Sequence, residues 1–240
     1  MTAGSLIELK DVAVGYDAHP VVGDVSATLG PGELLVLMGT NGSGKSTLLK
    51  TMAGLLSVLA GTVTVLGAAP GRQPGDVAYL PQHPRTLDTL PLRVRDVVAM
   101  GRFARRGLLR RLGADDWCII DDAMQRTGCE DFADSALREL SGGQQQRTHL
   151  AQVLVRRARV LLLDEPTAGL DARGRRAVTE AIDAERRRGA AVVLATHDLA
   201  DAEHADQVIL LARGIVAQGS PRDALTDDHL RTCYGFTERH

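Results

Sequence analysis

The stretch GTNGSGKS at residues 39–46 constrains this chain more than any other, because it fits the pattern G-x-x-x-x-G-K-[ST]. It follows the run Glu33–Met38, apolar after its first residue, and opens a helical pattern from Lys45 to about Leu55. Glycines at these positions let backbone N–H groups turn inward around phosphate oxygens, and the helix N-terminus adds positive potential. Strand, glycine-rich turn and helix in that order raise a short pattern to a phosphate site. Gly39, Thr40, Asn41, Gly42, Ser43, Gly44, Lys45, Ser46 and Thr47 are expected to form it. Lys45 should reach the β- and γ-phosphates of a nucleotide, and Ser46 should ligate Mg2+. Lysine occurs only at positions 10, 45 and 50 in a chain that otherwise uses arginine. A compact ammonium stands where this chemistry needs one.

A second constraint is VLLLDEP at 160–166, which sets Asp164 and Glu165 at the C-terminal end of a solidly apolar strand. Ligands of open α/β sheets bind at that end. Two carboxylates there are costly without a cation or ligand to compensate. Asp164 is expected to hold Mg2+, directly or through water, and Glu165 to polarise the attacking water.

Extended patterns cover Leu6–Val14, Val21–Leu29, Thr62–Leu66 and Val77–Leu80. From about Pro91 to Arg157 the period becomes helical, most clearly over Asp115–Thr127 and Ser141–Val155. The α/β pattern returns with Val160–Leu163 and Ala191–Ala195, apolar enough to be buried on both faces of a parallel sheet, and Arg173–Arg188 is the helix between them. Val208–Leu211 and Ile215–Ala217 suggest a closing hairpin, followed by a partly helical tail from Ser220. The outline is an α/β core interrupted by a helical insert.

Composition excludes several classes. With 28 basic and 30 acidic residues the net charge is −2, so no global basic field points to nucleic acid. The clusters Arg173–Arg176 and Arg186–Arg188 suit solvated faces. Cys118, Cys129 and Cys233 share no metal-ligand spacing and suit reduced thiols of a cytosolic chain. No window approaches the roughly 18 uninterrupted apolar residues of a membrane span, and the N-terminus lacks a signal pattern.

Residues 140–147, LSGGQQQR, place two glycines at a helix start and so make a second anion site without a lysine. With this stretch the whole chain resembles the ATP-binding cassette (ABC) family, matching its motifs in order. The resemblance implies a P-loop NTPase core of α/β class, with an antiparallel β subdomain and an inserted α-helical subdomain. Residues 1–82 and 157–240 would form the core of a single ATPase domain, and 83–156 the insert. It further implies that Tyr16 stacks on adenine and that Gln82 senses Mg2+ and the γ-phosphate. Asp171, in TAGLD, would belong to a loop crossing a dimer interface, and His197, in LATHD, would contact the γ-phosphate. Thr40 departs from the proline often found there, and Gln152 from an arginine.

In this family two copies pair head to tail, so that Ser141, Gly142, Gly143 and Gln144 of one would cover ATP held by 39–46 of the other. Residues 83–111 would dock an integral membrane permease. The wording LPLRVRDVVAMGRFARRGLLRR resembles manganese/zinc-type importer cassettes, in which an extracytoplasmic binding protein delivers the substrate. The implied location is the cytoplasmic face of the cell membrane. An exporter ATPase and a soluble cassette such as an iron–sulfur assembly ATPase are the alternatives. Asp96 and Arg102 are expected to serve coupling to the permease. His197, Asp198, Asp201, Glu203 and His204 form a tempting cluster, read instead as a switch residue plus a solvated acidic helix face.

Overall fold

The computed structural model describes residues 4–84, 91–107 and 111–235. The alternating N-terminal runs form β1 (Ile7–Tyr16) and β2 (His19–Leu29), antiparallel with Ile7 opposite Leu29. The fully buried β3 (Leu34–Gly39) leads into α1 (Lys45–Met52), and β4 (Ala60–Val65) returns to pair with β1. β5 (Val77–Leu80) precedes three helices, α2 (Val94–Arg106), α3 (Ala114–Thr127) and α4 (Gly142–Leu154). Then come β6 (Val160–Asp164), α5 (Ala172–Arg187), β7 (Ala191–Thr196) and the short α6 (Leu199–Glu203). The chain closes with β8 (Gln207–Leu211), β9 (Ile215–Gly219), α7 (Pro221–Ala224) and α8 (Asp227–Tyr234). Helix α1 is shorter than its sequence pattern because Gly54, at φ 76°, takes the left-handed conformation that ends helices.

Strands β2-β1-β4 make a small antiparallel sheet. Strands β5-β6-β7-β3-β8-β9 make a larger one, parallel except where β9 runs against β8. Side chains alternate across the larger sheet. Leu34, Val36 and Met38 enter a core shared with α2 to α5, whereas Leu35 and Leu37 enter one shared with α1 and the small sheet. Burial on both faces explains why β3, β6 and β7 read as continuous apolar runs.

Between β5 and β6, α2 crosses α4 at Gly101, where a Cβ would lie 2.1 Å from the Gln152 carbonyl oxygen. The next residue corrects the coupling expectation. Arg102 is buried, donating through Nε and Nη2 to Asp116 Oδ1 at 3.0 and 2.8 Å and through Nη1 to the Val155 carbonyl at 2.7 Å. One guanidinium therefore ties α2, α3 and α4 together, while Asp96, a turn and a half earlier, is exposed. Residues 85–90 and 108–110 of the expected docking stretch lie outside the described residues.

Arginines 186 and 188 also differ from a simple solvated face. Glu185 is only 2% exposed, and Arg188 pairs with its Oε2 while Arg126 of α3 reaches its Oε1 at 3.0 Å. Arg126 donates as well to the Ala181 carbonyl at 2.8 Å. Arg186 bonds Asp206 at 2.7 Å and the Gly32 carbonyl at 3.1 Å. A charge this deep needs such partners, and the sequence pattern alone does not reveal them.

Candidate active site

β3 delivers the chain to Gly39, at φ 149°, where a Cβ would lie 1.8 Å from the Leu211 carbonyl oxygen; no side chain fits. The loop then wraps the N-terminus of α1. Residues 41–47, with Tyr16, Val21, Gln82 and Glu165, line a cleft of about 440 Å3. Tyr16 is 47% exposed there, its ring open to a stacking partner. Ser43 is buried and its Oγ has no hydrogen-bond partner among the described residues. An orphan hydroxyl beside the free N–H groups of a helix start is a set of donors that an anion satisfies.

Lys45 is buried too, and its Nζ donates to the carbonyls of Gly39 at 2.8 Å and Thr40 at 3.0 Å. An ammonium carries three donors, so one is left for a phosphate oxygen. Gly39 and Thr40 thus serve the site through their carbonyls, not by lining the cleft. Burial lowers the Lys45 pKa, and the carboxylates of Glu165 and Asp164 oppose that shift.

Asp164 ends β6 and is 2% exposed. Burial raises its pKa, a hydrogen bond with Ser46 opposes the rise, and the neighbouring Glu165 adds to it. Glu165 leaves the sheet sharply, at φ 50° with its N–H on the Ala195 carbonyl at 2.9 Å. A left-handed non-glycine residue costs about 1–2 kcal/mol, and such strain gathers at functional positions. The turn aims the two adjacent carboxylates differently: Asp164 towards Ser46, Glu165 towards Gln82. Gln82 Nε2 donates to Glu165 Oε2 at 3.0 Å, and His197 Nδ1 stands 3.8 Å from the same oxygen.

Ser141, Gly142, Gly143, Gln144 and Asp171 belong to a second cleft of about 620 Å3, also bordered by Gln82 and Arg147. Ser141 and Gln144 form a reciprocal cap, with Gln144 N on Ser141 Oγ at 3.3 Å and Ser141 N on Gln144 Oε1 at 2.9 Å. Asp171 caps α5 through Gly174 N at 2.7 Å. Gln146, whose place in the sequence suggests no role, donates to the Glu165 carbonyl at 3.4 Å. Within one chain the two clefts are separate, and Gln82 borders both.

The acidic cluster after β7 is committed to local structure. Asp198 caps α6 at Ala200 N, Asp201 accepts from Thr196 Oγ1 at 2.8 Å, and His204 Nδ1 meets the Ala200 carbonyl. Among the described residues no group of three or more His, Cys, Asp or Glu is arranged to hold a metal ion.

Residues 22–168 match the ABC transporter family. The chain belongs to that family. It is 36% identical to the manganese transport system ATP-binding protein MntB of Bacillus subtilis, over 95% of this chain and 92% of that one. It is 35% identical to the zinc transport system ATP-binding protein TroB of Treponema pallidum, over 95% and 86%. A solved metal-chelate type ABC transporter in an inward-facing conformation superimposes with a TM-score of 0.82 at 25% identity, covering 97% of this chain and 90% of that one. This ABC subunit binds ATP and hydrolyses it in the service of transport, on the α/β P-loop fold that its motifs implied.

Proposed function

We propose that this ABC ATPase powers import of a divalent metal ion of the manganese/zinc type, or of a metal chelate, through an integral membrane permease. The observation that carries this reading is the likeness to manganese and zinc subunits over nearly the whole chain, on top of a site with every reacting group in reach. The 35–36% identity to metal transport subunits favours import over an exporter or a soluble assembly ATPase. No helix among the described residues is long and apolar enough to cross a membrane. The chain acts peripherally, at the cytoplasmic face, and an extracytoplasmic binding protein supplies the substrate indirectly.

In this reading residues 1–82 and 157–240 are the nucleotide-binding core, and 83–156 the insert that meets the permease. The loop 39–47 cradles the phosphates with backbone N–H groups, the Ser43 hydroxyl and the remaining Lys45 donor, and Tyr16 stacks on adenine. Ser46, Asp164 and Gln82 offer hard oxygen donors, a set that fits Mg2+, and the Ser46 hydroxyl is near enough to the Asp164 carboxylate to oppose its upward pKa shift. When bound, that ion would offset phosphate charge. Glu165 orients the attacking water and accepts its proton as the bond to the γ-phosphorus forms and the bond to the leaving oxygen breaks. His197, 69% exposed at the end of β7, is free to donate to the γ-phosphate and stabilise the charge that develops there.

Exposed Gly142 and half-buried Gly143 of the second cleft, with Asp171 beside them, complete the phosphate site of another copy in a head-to-tail ATPase dimer. Gln82 borders both clefts and begins the path to the insert, so phosphate occupancy and permease docking are linked through it. The test is to purify the chain with its permease and measure ATP hydrolysis against binding protein loaded with Mn2+, Zn2+ or a chelate. Stimulation by a metal-loaded binding protein is expected; stimulation only by a lipid or drug substrate, or purification with soluble partners alone, overturns import of metal.

A further inference from the structure

Tyr79 lies outside every motif assigned so far. It is paired in parallel register with Leu162 of β6, and Asp164, two residues further, is carried on the same face of that strand. Diagonal neighbours on adjacent strands lie about 7–8 Å apart, within reach of an aromatic side chain. Leu162 belongs to the core shared with α1, and the Tyr79 ring packs against that same core. The phenol therefore runs along the face of the sheet on which Ser46, Asp164 and the phosphate loop meet.

Its oxygen is buried and closes no hydrogen bond of normal geometry among the described residues. Burial raises the phenol pKa, and the charge of the nearby Asp164 carboxylate adds to the rise. A buried hydroxyl and a buried carboxylate each carry a desolvation penalty that their pairing relieves.

We propose that Tyr79 is a positioning residue of the nucleotide site, its phenol donating to Asp164 and fixing the carboxylate orientation that receives the Mg2+-nucleotide. Ser46 reaches this carboxylate from α1 and Tyr79 reaches it from β5, so Asp164 is steadied from two elements before nucleotide arrives. This rests on the reading of Asp164 as the ion-holding acid. Outer partners that orient a ligating carboxylate typically control metal affinity about 10–100-fold.

The experiment uses the full chain with Mn2+ as the probe. Free Mn2+ is followed by electron paramagnetic resonance in the presence of a saturating non-hydrolysable ATP analogue, for the parent, Tyr79→Phe and Asp164→Asn. Nucleotide affinity in EDTA is measured alongside. Tyr79→Phe keeps the ring and removes the hydroxyl; it should weaken Mn2+ about 10-fold and leave affinity in EDTA within about twofold. Mn2+ affinity equal to the parent's, with Asp164→Asn weakened, overturns the role of Tyr79 alone. Mn2+ affinity unchanged in Asp164→Asn overturns the ion-holding reading and this inference with it. Equal losses with and without the ion in Tyr79→Phe show that the phenol supports packing, which also overturns the proposal.

Discussion

Gln82 Nε2 donates to Glu165 Oε2 at 3.0 Å, from a strand end on one side of β6 to the strained residue that follows it. The oxygen occupied by the amide is the one that also faces His197 Nδ1 at 3.8 Å. In the proposed mechanism Gln82 thus holds the base before nucleotide binds, and engaging water requires that hold to loosen. Glu165→Gln should lower hydrolysis by about 10²–10⁴-fold while ATP still binds, and should trap an ATP-loaded dimer. Single-turnover hydrolysis with size-exclusion chromatography checks it, and turnover at the parent rate would remove Glu165 from its assigned role.

Gln82→Ala separates the two duties of this amide. It frees Glu165 without deleting it, so basal hydrolysis should fall by less than about 10-fold. Stimulation by the permease should fall further, because the link to the insert is gone. The ratio of stimulated to basal rate is the quantity to measure; a ratio equal to the parent's places the link elsewhere.

Arg102 and Asp96 make opposite predictions. Removing one partner of a buried, hydrogen-bonded ion pair costs about 3–5 kcal/mol, so Arg102→Ala should lower stability by that order and loosen all three helices it ties. Asp96→Ala, at an exposed position, should change stability by no more than about 0.5 kcal/mol. Its effect should appear as a lower permease-stimulated rate. Denaturant unfolding of both variants distinguishes them.

Much of this fold was legible because its elements obey one period each. The strands β3, β6 and β7 are continuous apolar runs, and Val77–Leu80 is bounded by turn residues, so their ends followed closely from the sequence. Arg102 was not legible. Its helix alternates charged and apolar residues, and the charge is buried only because Asp116, on another helix, lies beside it. Glu185 was hidden for the same reason, since its partner Arg126 is 59 residues away. The phosphate-site residues were local and carried their own pattern. The second cleft acquired its meaning from family resemblance: within one chain it meets the phosphate loop's cleft at Gln82 and through the Gln146 bond to the Glu165 carbonyl, and neither contact assigns it a ligand. Tyr79 had no sequence signal beyond the two-residue period that also suits a core aromatic.

The buried bridge between α3 and α5 should behave as one unit. Glu185→Ala strips Arg126 and Arg188 of a shared, deeply buried carboxylate and should destabilise the protein by about 3–5 kcal/mol. The amides of α3 should then exchange faster than those of β3 and β6, because α3 loses its charged anchor on the core while the central sheet keeps its packing. Hydrogen exchange followed by mass spectrometry reads the difference. Uniform acceleration across α3 and the sheet would mean that the bridge contributes only to global stability.

The pH dependence of the nucleotide-free protein follows from Asp164. Burial raises its folded-state pKa above the ordinary 3.8, so the folded protein binds this proton more tightly than the unfolded chain does. Below the unfolded value both states are protonated and the group is neutral to stability. As pH rises from about 4 through the raised folded value, the unfolded chain ionises first and the native state loses ground, by about 1.4 kcal/mol for each pH unit that separates the two pKa values. Asp164→Asn removes this liability. The variant should therefore be more stable than the parent without nucleotide, by a margin that is larger at pH 8 than at pH 5. Paired thermal melts at the two pH values measure that margin. A margin that shrinks with rising pH would mean that Ser46 and Lys45 stabilise the carboxylate more than burial penalises it, and that Asp164 is ready for a cation without strain.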